Sequence, residues 1–182
     1  MLVAAGEILA NEGPEALSVR RLADAVGTTT RAVYSLFGGK DGLISAMYSE
    51  MGDTLARKHF EVPRHEDPIA ELLALAHAYR AAVLEHPTLY PLVVGRPVPG
   101  FTPLPEAKAR ARGGLIRVHD AIDRAIAKKK IVGRSREAVV NEVWALLHGL
   151  ASLEIAGAFG PPEASRLLWD DAVRAILAGM RA

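Results

Sequence analysis

Residues 16–43 read ALSVRRLADAVGTTTRAVYSLFGGKDGL, and this stretch decides the fold. Ser18 is a good N-cap, because its hydroxyl can accept a bond from an amide that the start of a helix leaves unpaired. Val19, Leu22, Ala23 and Val26 then recur at i, i+3, i+4 and i+7, which gives a short helix with one apolar face. Gly27 ends it, since glycine reaches the left-handed conformation that a helix exit needs. The run Thr28-Thr29-Thr30 offers a second N-cap at once, with Thr29 best placed. In the helix that follows, Val33, Leu36 and Phe37 point to one side, so Thr30, Arg31, Tyr34 and Ser35 are expected on the other. That outer face carries hydrogen-bonding groups and a cation, and no large aliphatic side chain. Gly38-Gly39 break the chain again, and Lys40 opens a longer helix with Leu43, Ile44, Met47, Tyr48, Met51 and Leu55 as an apolar stripe. Two short helices on a tight turn imply a helix-turn-helix. Its outer face suits the major groove, where short polar side chains and an arginine reach base edges and phosphates.

The stretch resembles the DNA-binding domain of the TetR family of bacterial transcription regulators. Gly27 and Thr29 match the family's Gly-x-Ser/Thr turn, Tyr34 and Phe37 its aromatic pair three apart, and Lys40 and Leu43 follow at the family spacing. The resemblance implies that Thr29, Thr30, Arg31 and Ser35 meet bases or sugar-phosphate, and that Ser18, Tyr34 and Lys40 hold phosphates. Three positions depart from the pattern. Ala32 stands where the family often has Thr or Ser, which removes a hydroxyl. Gly38-Gly39 replaces the usual Pro-Ser or Pro-Asn, which weakens the cap of the next helix. Met1 falls inside what should be the first helix, whose apolar face is Leu2, Ala5, Ile8 and Leu9. Family members usually carry a basic arm before that point, so either the start lies further upstream or nonspecific affinity is low.

The chain has 182 residues, half of them hydrophobic, which allows a small head, 1–48, on a larger body, 49–182. There is no cysteine, which excludes disulfides and thiolate chemistry and fits a cytoplasmic location. With no signal peptide and no apolar run of 18 residues, membrane insertion is not expected. The net charge is +1, and residues 1–48 hold Arg20, Arg21, Arg31 and Lys40 against Glu7, Glu12, Glu15, Asp24 and Asp41. That balance argues against indiscriminate nucleic-acid binding. Between Ser18 and Lys40, however, the four cations face Asp24 alone.

The body reads as all-α. Residues 61–67 form a loop, Pro68 opens a helix to about His86, and Thr88 to Gly95 make one or two turns. Four prolines between Arg96 and Pro105 make a loop, and the pattern is helical from Glu106 to Lys130. Lys128-Lys129-Lys130 is expected as a solvated last turn complementing the helix dipole. The last two helices, about 137–157 and 162–180, are the most apolar, and the first of them is apolar nearly all round. Such a helix must be covered on both sides, which predicts a four-helix homodimer interface built from these two helices. Trp144 and His148-Gly149 extend the resemblance to the Trp-His-Gly type of TetR C-terminal domain, in which the Gly95 to Phe101 loop also recurs.

Trp144 and His148 lie four apart on one helix face. They read either as the wall and polar anchor of an effector pocket or as core residues with Gly149 easing helix packing. His77, Tyr79, Tyr90, Phe101 and His119 are further candidate contacts for a small-molecule effector, since pockets combine apolar walls with few polar groups. The six histidines show no metal-ligand spacing. No nucleophile–base pair or phosphate loop points to an enzyme, and no cofactor is implied. The expected function is that of a ligand-responsive regulator, a repressor by resemblance, binding double-stranded operator DNA as a homodimer. The rival is a ligand-binding or protein-interaction module that does not read DNA alone.

Overall fold

The computed structural model describes residues 1–94 and 98–181, and every regular element among them is a helix. The chain divides into two compact units, Met1–Thr54 with His86–Gly113, and Leu55–Glu85 with Gly114–Ala182.

In the first unit α1 (Leu2–Glu12) buries Ala5, Ile8 and Leu9, and α2 (Val19–Ala25) buries Val19, Leu22 and Ala23. The Ser18 hydroxyl caps α2 by accepting the Arg21 amide at 3.1 Å. Gly27, at φ +65°, closes it, and the Thr28 amide donates back to the Ala23 carbonyl at 2.9 Å. Thr29 caps α3 (Thr30–Phe37), accepting from the Ala32 amide at 3.2 Å. Gly38, at φ +72°, ends α3, and α4 (Lys40–Glu61) follows. Leu43, Ile44 and Met47 are fully buried at its start, while Tyr48 is half-buried. The unit is completed by α6 (Tyr90–Val94) and α7 (Pro105–Gly113), since α5 belongs to the second.

α7 lies so close to α4 that a Cβ on Gly52 would come within 2.7 and 2.8 Å of the Ala111 backbone. Gly52→Ala is therefore expected to destabilise, although alanine favours a helix by about 1 kcal/mol. Two backbones must part, at a cost of about 1–3 kcal/mol or more. A net fall in Tm of roughly 3 °C or more should appear in thermal denaturation. A raised Tm would mean that α7 yields freely.

In the second unit α5 (Pro68–Glu85) packs against α8 (Ile116–Ala127), α9 (Arg136–Ile155) and α10 (Pro162–Ala178). Leu75, Ile122, Val139 and Trp169 are buried at the centre. The Trp169 indole donates to Glu154 at 2.7 Å, and Arg80 holds the same carboxylate through two nitrogens. Glu71, wholly buried, accepts from Arg117 at 2.8 Å, from Arg124 at 2.5 Å and from the His65 amide at 3.0 Å. Arg117 also donates to the Val62 carbonyl and Arg124 to that of His65. The loop after α4 is thus fastened to α8.

The structure corrects two expectations. The single helix expected over 106–130 is two, α7 and α8, broken after Gly113 where Gly114 follows it. A glycine pair costs a helix about 2 kcal/mol relative to alanines, which the apolar periodicity conceals. Nor do Lys128-Lys129-Lys130 form a last helical turn. α8 stops at Ala127, Lys129 stands at φ +53°, and the Lys128 ammonium donates to the Glu66 carbonyl. α9 is long and apolar enough to cross a membrane by length and composition alone, although, as expected, it holds no uninterrupted apolar run of 18 residues. Only 28 % of its most apolar stretch is buried. Trp144 and Leu153 on α9, with Leu167 and Leu168 on α10, are left 40–59 % exposed.

Candidate functional site

α3 has one inward anchor, Val33, which is fully buried, and Phe37 is half-buried beside it. Thr30, Arg31, Tyr34 and Ser35 are all exposed, Tyr34 at 57 %. Leu36 departs from its expected inward position, being 64 % exposed. An eight-residue helix buries a narrow stripe, and Leu36 lies about 60° round the axis from Val33, on its edge. The exposed face therefore does carry a large aliphatic side chain.

The cations are not equivalent. Arg21 donates to Glu12 through two nitrogens, at 2.6 and 3.1 Å, and Lys40 donates to the Pro14 carbonyl at 2.9 Å. Arg20 and Arg31 are exposed, and neither has a hydrogen bond or ion pair with any described residue. The Ser18 and Thr29 hydroxyls accept amides as caps, which leaves each hydroxyl proton available to donate outward.

The second unit contains a partly open cavity of about 130 Å³ between α5, α8 and α9. Three of the seven effector candidates named from the sequence line it, Tyr79, His119 and Trp144, together with Val118, Asn141 and Leu147. Tyr79 is buried and stacks towards His59, whose Nδ1 lies 2.6 Å from the Gly114 carbonyl oxygen. His59 is itself fully buried, and burial above all pushes its pKa down. Burial lowers that of His119 too, with Arg136 adding to the effect against Asp123. Burial thus favours the neutral form of both imidazoles. Among the described residues, no arginine, lysine or carboxylate lines the cavity.

The other candidates do not line it. The His148 ring stacks on Trp144 at 5.7 Å and 11°, and the His77 Nε2 faces Asp170 at 3.1 Å. Tyr90 is buried in the first unit, and Phe101 is half-buried there. The loop from Gly95 to Phe101 lies partly outside the described residues, at 95–97. Leu115, Asn141 and the aliphatic lining were not among the sequence candidates, because three helices distant in the chain assemble the cavity.

Residues 1–47 match the model of the tetR family of bacterial regulatory proteins, and residues 72–176 that of the tetracyclin repressor-like C-terminal domain. The chain belongs to the TetR family. The HTH-type transcriptional regulator Rv1816 of Mycobacterium tuberculosis is 30% identical over 128 residues, 65% of this chain and 51% of that protein. The chain thus spans about half the length of the curated relatives it matches. Among solved structures, the regulatory protein SCO4313 is 27% identical at a TM-score of 0.71, over 97% of this chain and 93% of that one. The TetR-family regulator PfmR from Thermus thermophilus shares the fold, with a TM-score of 0.79 at 17% identity over 100% of this chain and 98% of its own.

Proposed function

We propose that this TetR-family chain is a homodimeric, ligand-responsive transcriptional regulator that represses from a pseudo-palindromic DNA operator. The observation that carries the reading is the face of α3, where Thr30, Arg31, Tyr34 and Ser35 stand exposed and Arg31 has no partner among the described residues. Thr29, Thr30, Arg31 and Ser35 would meet bases or sugar-phosphate, and Ser18, Tyr34 and Lys40 would hold phosphates. Residues 1–48 act as the reading head and 49–182 as the effector-binding and dimerising body. α9 and α10 are the proposed dimer interface, supported by the exposed Trp144, Leu153, Leu167 and Leu168. Two recognition helices would then enter successive major grooves about 34–36 Å apart.

The cavity beside Tyr79, His119 and Trp144 supports an effector that is small, neutral and largely apolar, since its lining offers no charge to an ionised group. A cavity of about 150 Å³ holds benzene, which sets the scale. An effector that prefers a body conformation with the heads wrongly spaced lowers DNA affinity by its differential affinity for the two states. The protein works in the cytoplasm, without a cofactor and as a regulator, not an enzyme.

Selection from a random DNA library at physiological salt tests this. An inverted repeat is the expected product, and featureless DNA would favour the interaction module instead. Tyr34→Phe should weaken binding to that repeat several-fold with the dimer unchanged by sedimentation. Unaltered affinity would remove Tyr34 from the contacts.

A further inference from the structure

Leu36, 64 % exposed, is the most exposed large hydrophobic side chain among the described residues, and it stands on α3 beside Ser35. Isolated surface leucines are ordinary, so exposure alone decides nothing. Its position does. Ala32 lies four residues earlier, hence one turn away on the same flank, and the two form an apolar strip about 6 Å long beside the polar face of Thr30, Arg31 and Ser35. The strip continues the surface assigned to DNA, and it comes from two recognition-helix positions whose side chains carry no polar group. The major groove has one apolar feature to offer such a strip, the C5 methyl group of thymine.

We propose that Leu36, with Ala32 beside it, reads a thymine methyl group in each operator half-site and so makes the chain select thymine over cytosine there. The proposal rests on the DNA-reading function above. Leu36 has χ1 and χ2 freedom and is exposed, so burying it against a methyl group removes apolar surface from water on both partners. Cytosine at the same place presents an amino donor that neither residue can accept, and loses the methyl contact as well. Hydrogen bonds from Thr30, Arg31 and Ser35 set the register, while the strip distinguishes thymine within it.

The test uses the full chain and the inverted repeat recovered by selection, with each thymine replaced in turn by deoxyuridine, which deletes the methyl group alone. The wild-type chain should lose roughly fourfold in affinity per half-site at one or two positions, the worth of a buried methyl group. In Leu36→Ala the same replacements should have no effect at those positions, and the variant should bind the thymine repeat as weakly as the wild type binds the uracil one. Because Leu36 is exposed, its Tm should be unchanged, which separates lost contact from lost fold. Insensitivity of the wild type to every uracil, or equal sensitivity in Leu36→Ala, overturns the assignment while leaving DNA reading intact. Failure to recover any repeat removes the DNA-reading function itself and the assignment with it.

Discussion

Arg31→Ala is expected to lower operator affinity about 100-fold while leaving Tm and the dimer as they are. The stability half of that expectation follows from position. Arg31 is exposed at the second residue of α3, with no hydrogen bond or ion pair to any described residue. Removing it breaks nothing in the fold, in contrast to Arg21, whose guanidinium is already engaged by Glu12. The affinity half follows from number. A well-made arginine contact to a base is worth about 1–3 kcal/mol, and a homodimer on a palindrome makes it twice. Roughly 3 kcal/mol in total gives a factor near 100. Arg31→Lys distinguishes the kind of contact, because lysine keeps the charge and loses the planar fork. If Arg31 reads a base, the lysine variant should lose discrimination at that base pair while keeping it elsewhere in the half-site. If it holds phosphate, affinity should largely return and the salt dependence should stay that of the wild type. Affinity unchanged in Arg31→Ala would take the residue out of the interface and weaken the reading of α3 as a whole.

The head is legible in the sequence because its signals are local. Ser18, Gly27 and Thr29 act within three or four residues of where they stand, and each does in the structure what its chemistry implies. Leu36 departs from expectation for a related reason. Apolar spacing marks which residues could share a face, but how wide a stripe gets covered depends on what packs there, and α3 has Val33 as its one buried residue. The break at Gly113-Gly114 is hidden because apolar residues resume in phase after it. What depends on contacts between distant residues is not legible at all. Glu71 meets arginines 46 and 53 positions away. The cavity takes its lining from three helices, so the sequence can nominate Tyr79, His119 and Trp144 without showing that they converge, and it cannot tell Tyr90 and Phe101 apart from them.

The Glu71 cluster carries the largest expected effect on stability. Burial would push the Glu71 carboxyl up, but the bonds from Arg117, the His65 amide and Arg124 outweigh it and bring the pKa from 4.5 to about 2. A pKa lowered in the folded state means stability that is fully present above the unfolded value and lost as pH falls from there through the folded one. For Glu71 that window is pH 4.5 to 2, and the amount is about 3 kcal/mol. Glu85 and Asp170 are lowered too, by Lys58 and by Arg174 respectively, but both sit near solvent where such pairs contribute little. Glu71→Gln should therefore cost roughly 3–5 kcal/mol at pH 7, since it leaves the buried Arg117 guanidinium without its counter-charge. It should also flatten the acid limb of stability. Urea midpoints measured from neutral pH down into that window check both, with the variant far below the wild type at neutral pH and the two curves converging in acid. Parallel curves would mean that Glu71 is not the group that titrates. Because Arg117 and Arg124 also hold the Val62 and His65 carbonyls, Glu71→Gln should further loosen residues 62–67, seen as faster amide exchange there than in α9. Exchange that quickens equally in both places would place the loss in the unit as a whole and not in its fastening to α8.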